Sequence, residues 1–278
     1  MADRHQLPFL LKLLDDDSSV VRESVLHELK GFGLELEEEV ALLHYEQTPE
    51  QRSLLNPLYE RNRAMLLTTA WPEWFDLEDD KLQLESAMSL IAEYQLGHRF
   101  TGILTERLDT LAERCGTARA TGNVLALSRF LFEEMALHGA PESSYYNPLN
   151  SNLIVVLDEK QGIPLSLCCI YVLVADRVGL MVEGCNFPGH FLAIAFQNEQ
   201  RFVIDCFNKG RILEDSHLDK IKASITMEDI FRLQCRAPVI ITRTLRNLIA
   251  AYQQAGDDQA ADLMTGILQL TTSALHLE

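Results

Sequence analysis

The chain has 278 residues, 47% of them hydrophobic and 23% charged, enough apolar material for one large domain or two. Its 41 Asp and Glu against 24 Lys and Arg leave a net charge of −17, and no Lys/Arg run reaches four residues. A surface that tracks phosphate needs the opposite balance, so neither nucleic acid nor an anionic membrane is expected as a partner.

The first residues carry no leader pattern, and the longest apolar run, Leu165 to Ala175, is interrupted by Ser166 and too short to span a bilayer. A cytoplasmic protein is expected. The first half reads as successive helices. Leu7 to Leu14 predicts one, Asp15 to Ser19 a turn and cap, and Val20 to Lys30 a second with Val21, Val25 and Leu29 on one face. Gly31-Phe32-Gly33 closes it. The pair resembles a single HEAT-type hairpin, but with one copy and no repeats an ordinary helical hairpin is the expectation. Thr48-Pro49-Glu50-Gln51 predicts a capping box opening a helix that carries Leu54, Leu55, Leu58, Met65 and Leu66, with a kink or break at Pro57. Trp71-Pro72-Glu73-Trp74-Phe75 predicts an aromatic loop used for packing. Helices are predicted at Leu84 to Tyr94, Ile103 to Cys115 and Val124 to Leu137.

After Pro141 the texture changes. Asn150-Ser151 predicts the cap of a short helix through Lys160, and Pro164 starts a second, apolar on most faces and therefore central, that runs to Val178. Strands follow at Met181 to Asn186, Phe191 to Phe196, Phe202 to Phe207 and Arg211 to Leu213, with a hairpin turn at Asn198-Glu199. The tail returns to helix: Leu245, Leu248 and Tyr252, then Gly256-Asp257-Asp258 and Ala260-Ala261, resemble one tetratricopeptide-like hairpin packed on the core. The fold class is α+β and mainly helical, with one small antiparallel sheet. Expected boundaries are a helical region at 1–140, a core at 141–240 and a C-terminal hairpin at 241–278.

The chemistry lies in the strands. With a two-residue turn at Asn198-Glu199, Gln197 pairs with Gln200 and His190 stands opposite Phe207. Asp205 is then a diagonal neighbour of His190 on the same sheet face. A carboxylate there fixes the imidazole tautomer and stabilises an imidazolium. Six cysteines occur without a CxxC pair, so a zinc site has no support and no cofactor is expected.

Tyr145-Tyr146-Asn147-Pro148-Leu149-Asn150-Ser151, Gly162-Ile163-Pro164-Leu165-Ser166-Leu167, Val178-Gly179-Leu180, Asn186-Phe187-Pro188-Gly189-His190-Phe191 and Ile204-Asp205-Cys206-Phe207 together resemble the SirB branch of the bacterial transglutaminase-like superfamily. The resemblance covers roughly residues 85 to 215 and implies a papain-like core. It also implies a Cys-His-Asp triad whose Cys stands at the start of the central helix, where the helix dipole lowers its pKa. Counting back the superfamily's usual helix length from Gly179-Leu180 places Pro164, which has no nucleophile, at that position.

Cys168 lies on the same helical face about 5.4 Å deeper, Cys169 faces about 100° away, Cys185 lies on a strand such chemistry does not use, and Cys206 faces away from Asp205. Ser166 serves as an acyl acceptor only if the helix starts later. Two readings follow. The favoured one is a catalytically degenerate interaction or regulatory module with a protein partner. The alternative is an active cysteine-dependent amide hydrolase or acyltransferase with a relocated thiol, Cys168 foremost, beside His190 and Asp205. Metal binding through His190 and Asp205 lacks a third ligand at suitable spacing.

Overall fold

Residues 4–214 and 226–276 are described by a computed structural model. They are mainly helical with a five-stranded antiparallel sheet, the α+β class expected. Two compact units emerge, Met1–Trp71 with Leu90–Thr101, and Pro72–Ser89 with Gly102–Glu278.

In the first unit, α1 (Leu7–Leu13), α2 (Ser19–Lys30), α3 (Leu36–Leu42) and α4 (Pro49–Ala70) follow in order. Leu7, Leu11, Val25, Leu29, Leu36 and Leu55 form its buried core. The capping box at Thr48 is complete: the Gln51 N–H donates to Thr48 Oγ1 at 3.2 Å and the Thr48 N–H to Gln51 Oε1 at 3.0 Å. Contrary to the expected break, α4 runs unbroken through Pro57. Pro57 and Ser53 lie on the exposed face, so the carbonyl left without a donor can take water, while buried Leu55, Leu58 and Tyr59 hold the turns on either side. Met65, placed on the apolar stripe, is exposed instead.

Trp71–Asp76 is a 3-10 turn rather than a loop, and Trp71 and Trp74 are fully buried. After it comes α5 (Asp80–Leu96), inside which the division between units falls. The second unit continues with α6 (Ile103–Thr117), buried through Leu104, Leu108, Leu111 and Cys115. The helix expected to reach Leu137 is α7 (Val124–Arg129) followed by a π turn at Phe130–Glu134, closed by the Met135 N–H on the Phe130 carbonyl at 2.8 Å. Phe130, Leu131 and Phe132 are all buried, and three consecutive inward side chains do not fit one α-helical face.

α8 (Leu153–Glu159) is capped by Asn152, whose Oδ1 accepts from the Ile154 and Val155 N–H groups. The Asn150 side chain, expected at the cap, donates to the Ser144 and Tyr145 carbonyls instead. β1 (His138–Gly139) pairs in parallel with β2 (Gln161–Gly162). Then α9 (Pro164–Arg177) runs through the centre, with every residue from Pro164 to Ala175 buried. Arg177 ties its far end to Glu85 of α5 and Asp109 of α6, at 2.8 and 2.7 Å.

The sheet contains β3 (Met181–Cys185), β4 (Leu192–Gln197), β5 (Gln200–Asp205), β6 (Arg211–Leu213) and β7 (Gln234–Cys235), in the order β6-β5-β4-β3-β7. Gln197 pairs with Gln200 as expected, across a turn in which Asn198 and Glu199 both take positive φ (47° and 65°), the I′ geometry that matches strand twist. A short helix α10 (Met227–Phe231) precedes β7. Last come α11 (Ala237–Ala255) and α12 (Asp258–Leu275), joined at Gly256 (φ 75°) and capped by Asp257. No helix among the described residues is long and apolar enough to cross a membrane.

Candidate functional site

His190 ends a tight turn two residues before β4, where its N–H donates to the Phe187 carbonyl at 3.3 Å. Strand register, carried back from Ala193 opposite Ile204, brings His190 level with Phe207 and diagonal to Asp205. The side chains meet: His190 Nε2 is 2.8 Å from Asp205 Oδ1.

Asp205 is 3% exposed. Its Oδ1 also accepts from the Asn208 N–H at 3.1 Å, its Oδ2 accepts from Asn208 Nδ2 at 2.7 Å, and Arg211 Nη2 stands 3.8 Å from Oδ2. Burial pushes the carboxyl up, but the hydrogen bonds from His190 and Asn208 outweigh it and hold Asp205 below the usual carboxylate range. An ionised carboxylate only accepts, which assigns the proton of this bond to His190 Nε2 and leaves Nδ1 on the opposite edge of the ring. The imidazole is partly exposed, at 27%.

Phe207 stands edge-on to His190, with ring centroids 6.0 Å apart, and Tyr145 packs against Phe207 at 6.1 Å. Gly139 makes room for this ring: a Cβ there would lie 2.5 Å from a Phe207 ring carbon. Gly139→Ala is therefore expected to push Phe207 off His190, at a cost of about 1–3 kcal/mol. A lowered Tm together with a changed His190 imidazole resonance would report it.

α9 packs against the same sheet. Pro164 is its first residue, with Ile163 at the N-cap. β4 runs in the same direction as α9, because β3 reverses the chain and β4 reverses it again. The two touch where the Cys168 thiol donates to the Leu192 carbonyl at 3.4 Å. Pro164 precedes Cys168 by one helical turn, about 5.4 Å, and His190 precedes Leu192 by two residues, in the turn that leads into β4.

Cys168 itself is fully buried, and burial first, then the neighbouring Cys206 thiol, pushes its pKa well above the ordinary value. Burial does the same to Cys169, and raises Cys185 to about 12. Ser166 is buried and donates to the Asn150 carbonyl at 2.7 Å and the Ile163 carbonyl at 3.1 Å. Among the described residues no thiol hydrogen-bonds to His190, and no group of three or more His, Cys, Asp or Glu is placed to hold a metal ion. Sequence reasoning missed Asn208, and it placed Phe207 opposite His190 and Tyr145 in a family block without giving either a role at the site. Asn208 had the nearest signal, an amide three residues after Asp205.

Residues 103–246, just over half of the chain, match the family model of the transglutaminase-like superfamily. The chain belongs to that superfamily. Its similarity to a UPF0162 protein of Xylella fastidiosa (strain 9a5c) is 29% identity over 219 residues, covering 74% of this chain and 78% of that one. Human F-box only protein 21 is 25% identical over 209 residues, 70% of this chain and 32% of that protein. A UPF0162 protein of Vibrio cholerae is 24% identical over 147 residues, or 52% and 45% of the two chains. No solved structure matches. Within the superfamily match lie His190, Asp205 and the whole of α9.

Proposed function

We propose that this transglutaminase-like protein, of the SirB branch, has given up thiol chemistry and uses the surface around His190 to bind a protein partner. The observation that carries this reading is the start of α9: Pro164 holds the first helical position, and the thiol on the same face, Cys168, is buried a turn deeper and hydrogen-bonded to Leu192. A helix-interior thiol lacks the free backbone N–H groups that stabilise a thiolate, and a misplacement of even about 1 Å can cost roughly 100-fold in rate. The persistence of the His190–Asp205 bond suits a binding role, since it fixes the ring and keeps a buried carboxylate partnered. That a protein partner is involved is supported by F-box only protein 21, in which the similar region occupies about a third of a longer chain.

Alkylation of the native protein by iodoacetamide near pH 7, mapped by mass spectrometry, tests the reading. Slow labelling is expected at every buried cysteine, with Cys168 and Cys169 among the slowest, and no change in His190→Ala. Fast labelling of Cys168 that disappears in His190→Ala would instead establish a relocated nucleophile and an acyl-transfer or amide-hydrolysis function.

A further inference from the structure

Arg243 is the other residue that grips the His190 turn. It lies in α11, and its Nη1 donates to Asn186 Oδ1 at 2.6 Å and to the Phe187 carbonyl at 2.9 Å. The same Phe187 carbonyl accepts from the His190 N–H, and the guanidinium lies over the Phe191 ring, 5.2 Å from its centroid. Arg243 therefore holds the chain on both sides of His190.

These contacts are all to neutral groups. Arg63 and Arg177, also partly buried, are each paired with a carboxylate, Glu37 and Glu85 respectively. Among the described residues Arg243 has none within 4 Å, in a chain with 41 acidic residues to choose from. Burial pushes its pKa down, though a guanidinium stays charged at any physiological pH. Tyr145 borders the same space. Burial pushes its phenol up and the Arg243 charge draws it back, while its ring packs on Phe207, which in turn packs on His190. A half-buried cation with donors to spare, an aromatic wall and a fixed imidazole thus share one corner of the second unit.

We propose that Arg243 is the anion-recognition residue of the His190 site and takes a carboxylate from a bound polypeptide, either its C-terminal carboxylate or an Asp or Glu side chain. Nη1 is engaged by Asn186 and Phe187, which leaves Nε and Nη2 without a hydrogen-bond partner among the described residues, a donor pair whose spacing matches the two oxygens of a planar carboxylate. This inference rests on the reading of the site as a surface for a protein partner and adds the chemistry of what it binds.

Titration of the full chain with N-acetylglycine, N-acetylglycinamide, N-acetylglutamic α-amide and inorganic phosphate tests it, read by NMR on the His190 imidazole and the Arg243 Nε–H. A saturable shift with N-acetylglycine or the glutamic α-amide is expected, with Kd on the order of 1 mM for so small a probe. The tighter of the two identifies the source of the carboxylate. Binding should be at least tenfold weaker for N-acetylglycinamide, absent in Arg243→Met, and at least fivefold weaker in Arg243→Lys. Equal binding of the neutral amide, binding of phosphate alone, or undiminished binding in Arg243→Lys overturns the assignment. The lysine variant keeps a stem over Phe191 and serves if Arg243→Met loses the His190–Asp205 signature. Fast Cys168 alkylation would remove the non-catalytic reading without altering these titrations. Failure of the titrations would leave thiol inertness untouched.

Discussion

Asp205→Ala is expected to destabilise the second unit by about 2–4 kcal/mol, the largest single loss available around the site. The carboxylate accepts from His190 Nε2, the Asn208 N–H and Asn208 Nδ2, and removing it strands donors that are wholly or partly out of water. The figure stays below that for a fully enclosed ion pair because His190 can reach solvent. Its pH dependence separates lost charge from lost packing. Asp205 is held below the ordinary carboxylate value, so the folded state binds its proton less readily than the unfolded chain does. Its electrostatic contribution is therefore full well above the unfolded pKa of about 3.9, and is lost as pH falls from there through the lower folded value. Urea unfolding of parent and variant should differ most near pH 6–7 and converge below about pH 4. A gap unchanged down to pH 3 would mean that packing, not the charge, set the loss.

Much of this corner was legible in the sequence because it is governed by short-range rules. The side-chain period of a strand is two, and the Asn198-Glu199 turn admits only one pairing in register, so the diagonal placement of Asp205 and His190 followed from counting. Thr48 and Gln51 are likewise three residues apart and cap each other without outside help. What sequence could not supply depends on distant packing. Asn150, Ser151 and Asn152 are all competent caps, and Asn152 takes the role because the Asn150 amide is drawn to the Ser144 and Tyr145 carbonyls. Pro57 is a helix breaker by rule, yet it lies on an exposed face where the rule's penalty is smallest. Phe130 to Phe132 fit an α-helical pattern until a core demands all three at once. Arg243 carries no local signal at all, since its meaning comes from the His190 turn that α11 packs against.

The second large effect is a gain. Pro164→Cys is expected to place a thiol at the first position of α9, where the superfamily resemblance puts the nucleophile, with the free N–H groups of the helix start around it. Proline is well suited to that position for backbone reasons, so the exchange should cost no more than about 1 kcal/mol. Position 164 is buried, which by itself pushes a thiol up. The helix dipole and an imidazolium that Asp205 orients are expected to outweigh this and bring the thiol below the ordinary value of about 8.5. The native cysteines supply a contrasting background, because burial raises Cys168, Cys169 and Cys185. The difference in thiolate absorbance near 240 nm between variant and parent then isolates the new group. Adding His190→Ala should move its titration back up by a unit or more, since the helix start alone would remain. A new thiol that titrates at 8.5 or above, and ignores His190, would mean that the helix start does not face the imidazole. Pro164 would then not stand where the superfamily's nucleophile stands, and only the burial of Cys168 would speak against thiol chemistry.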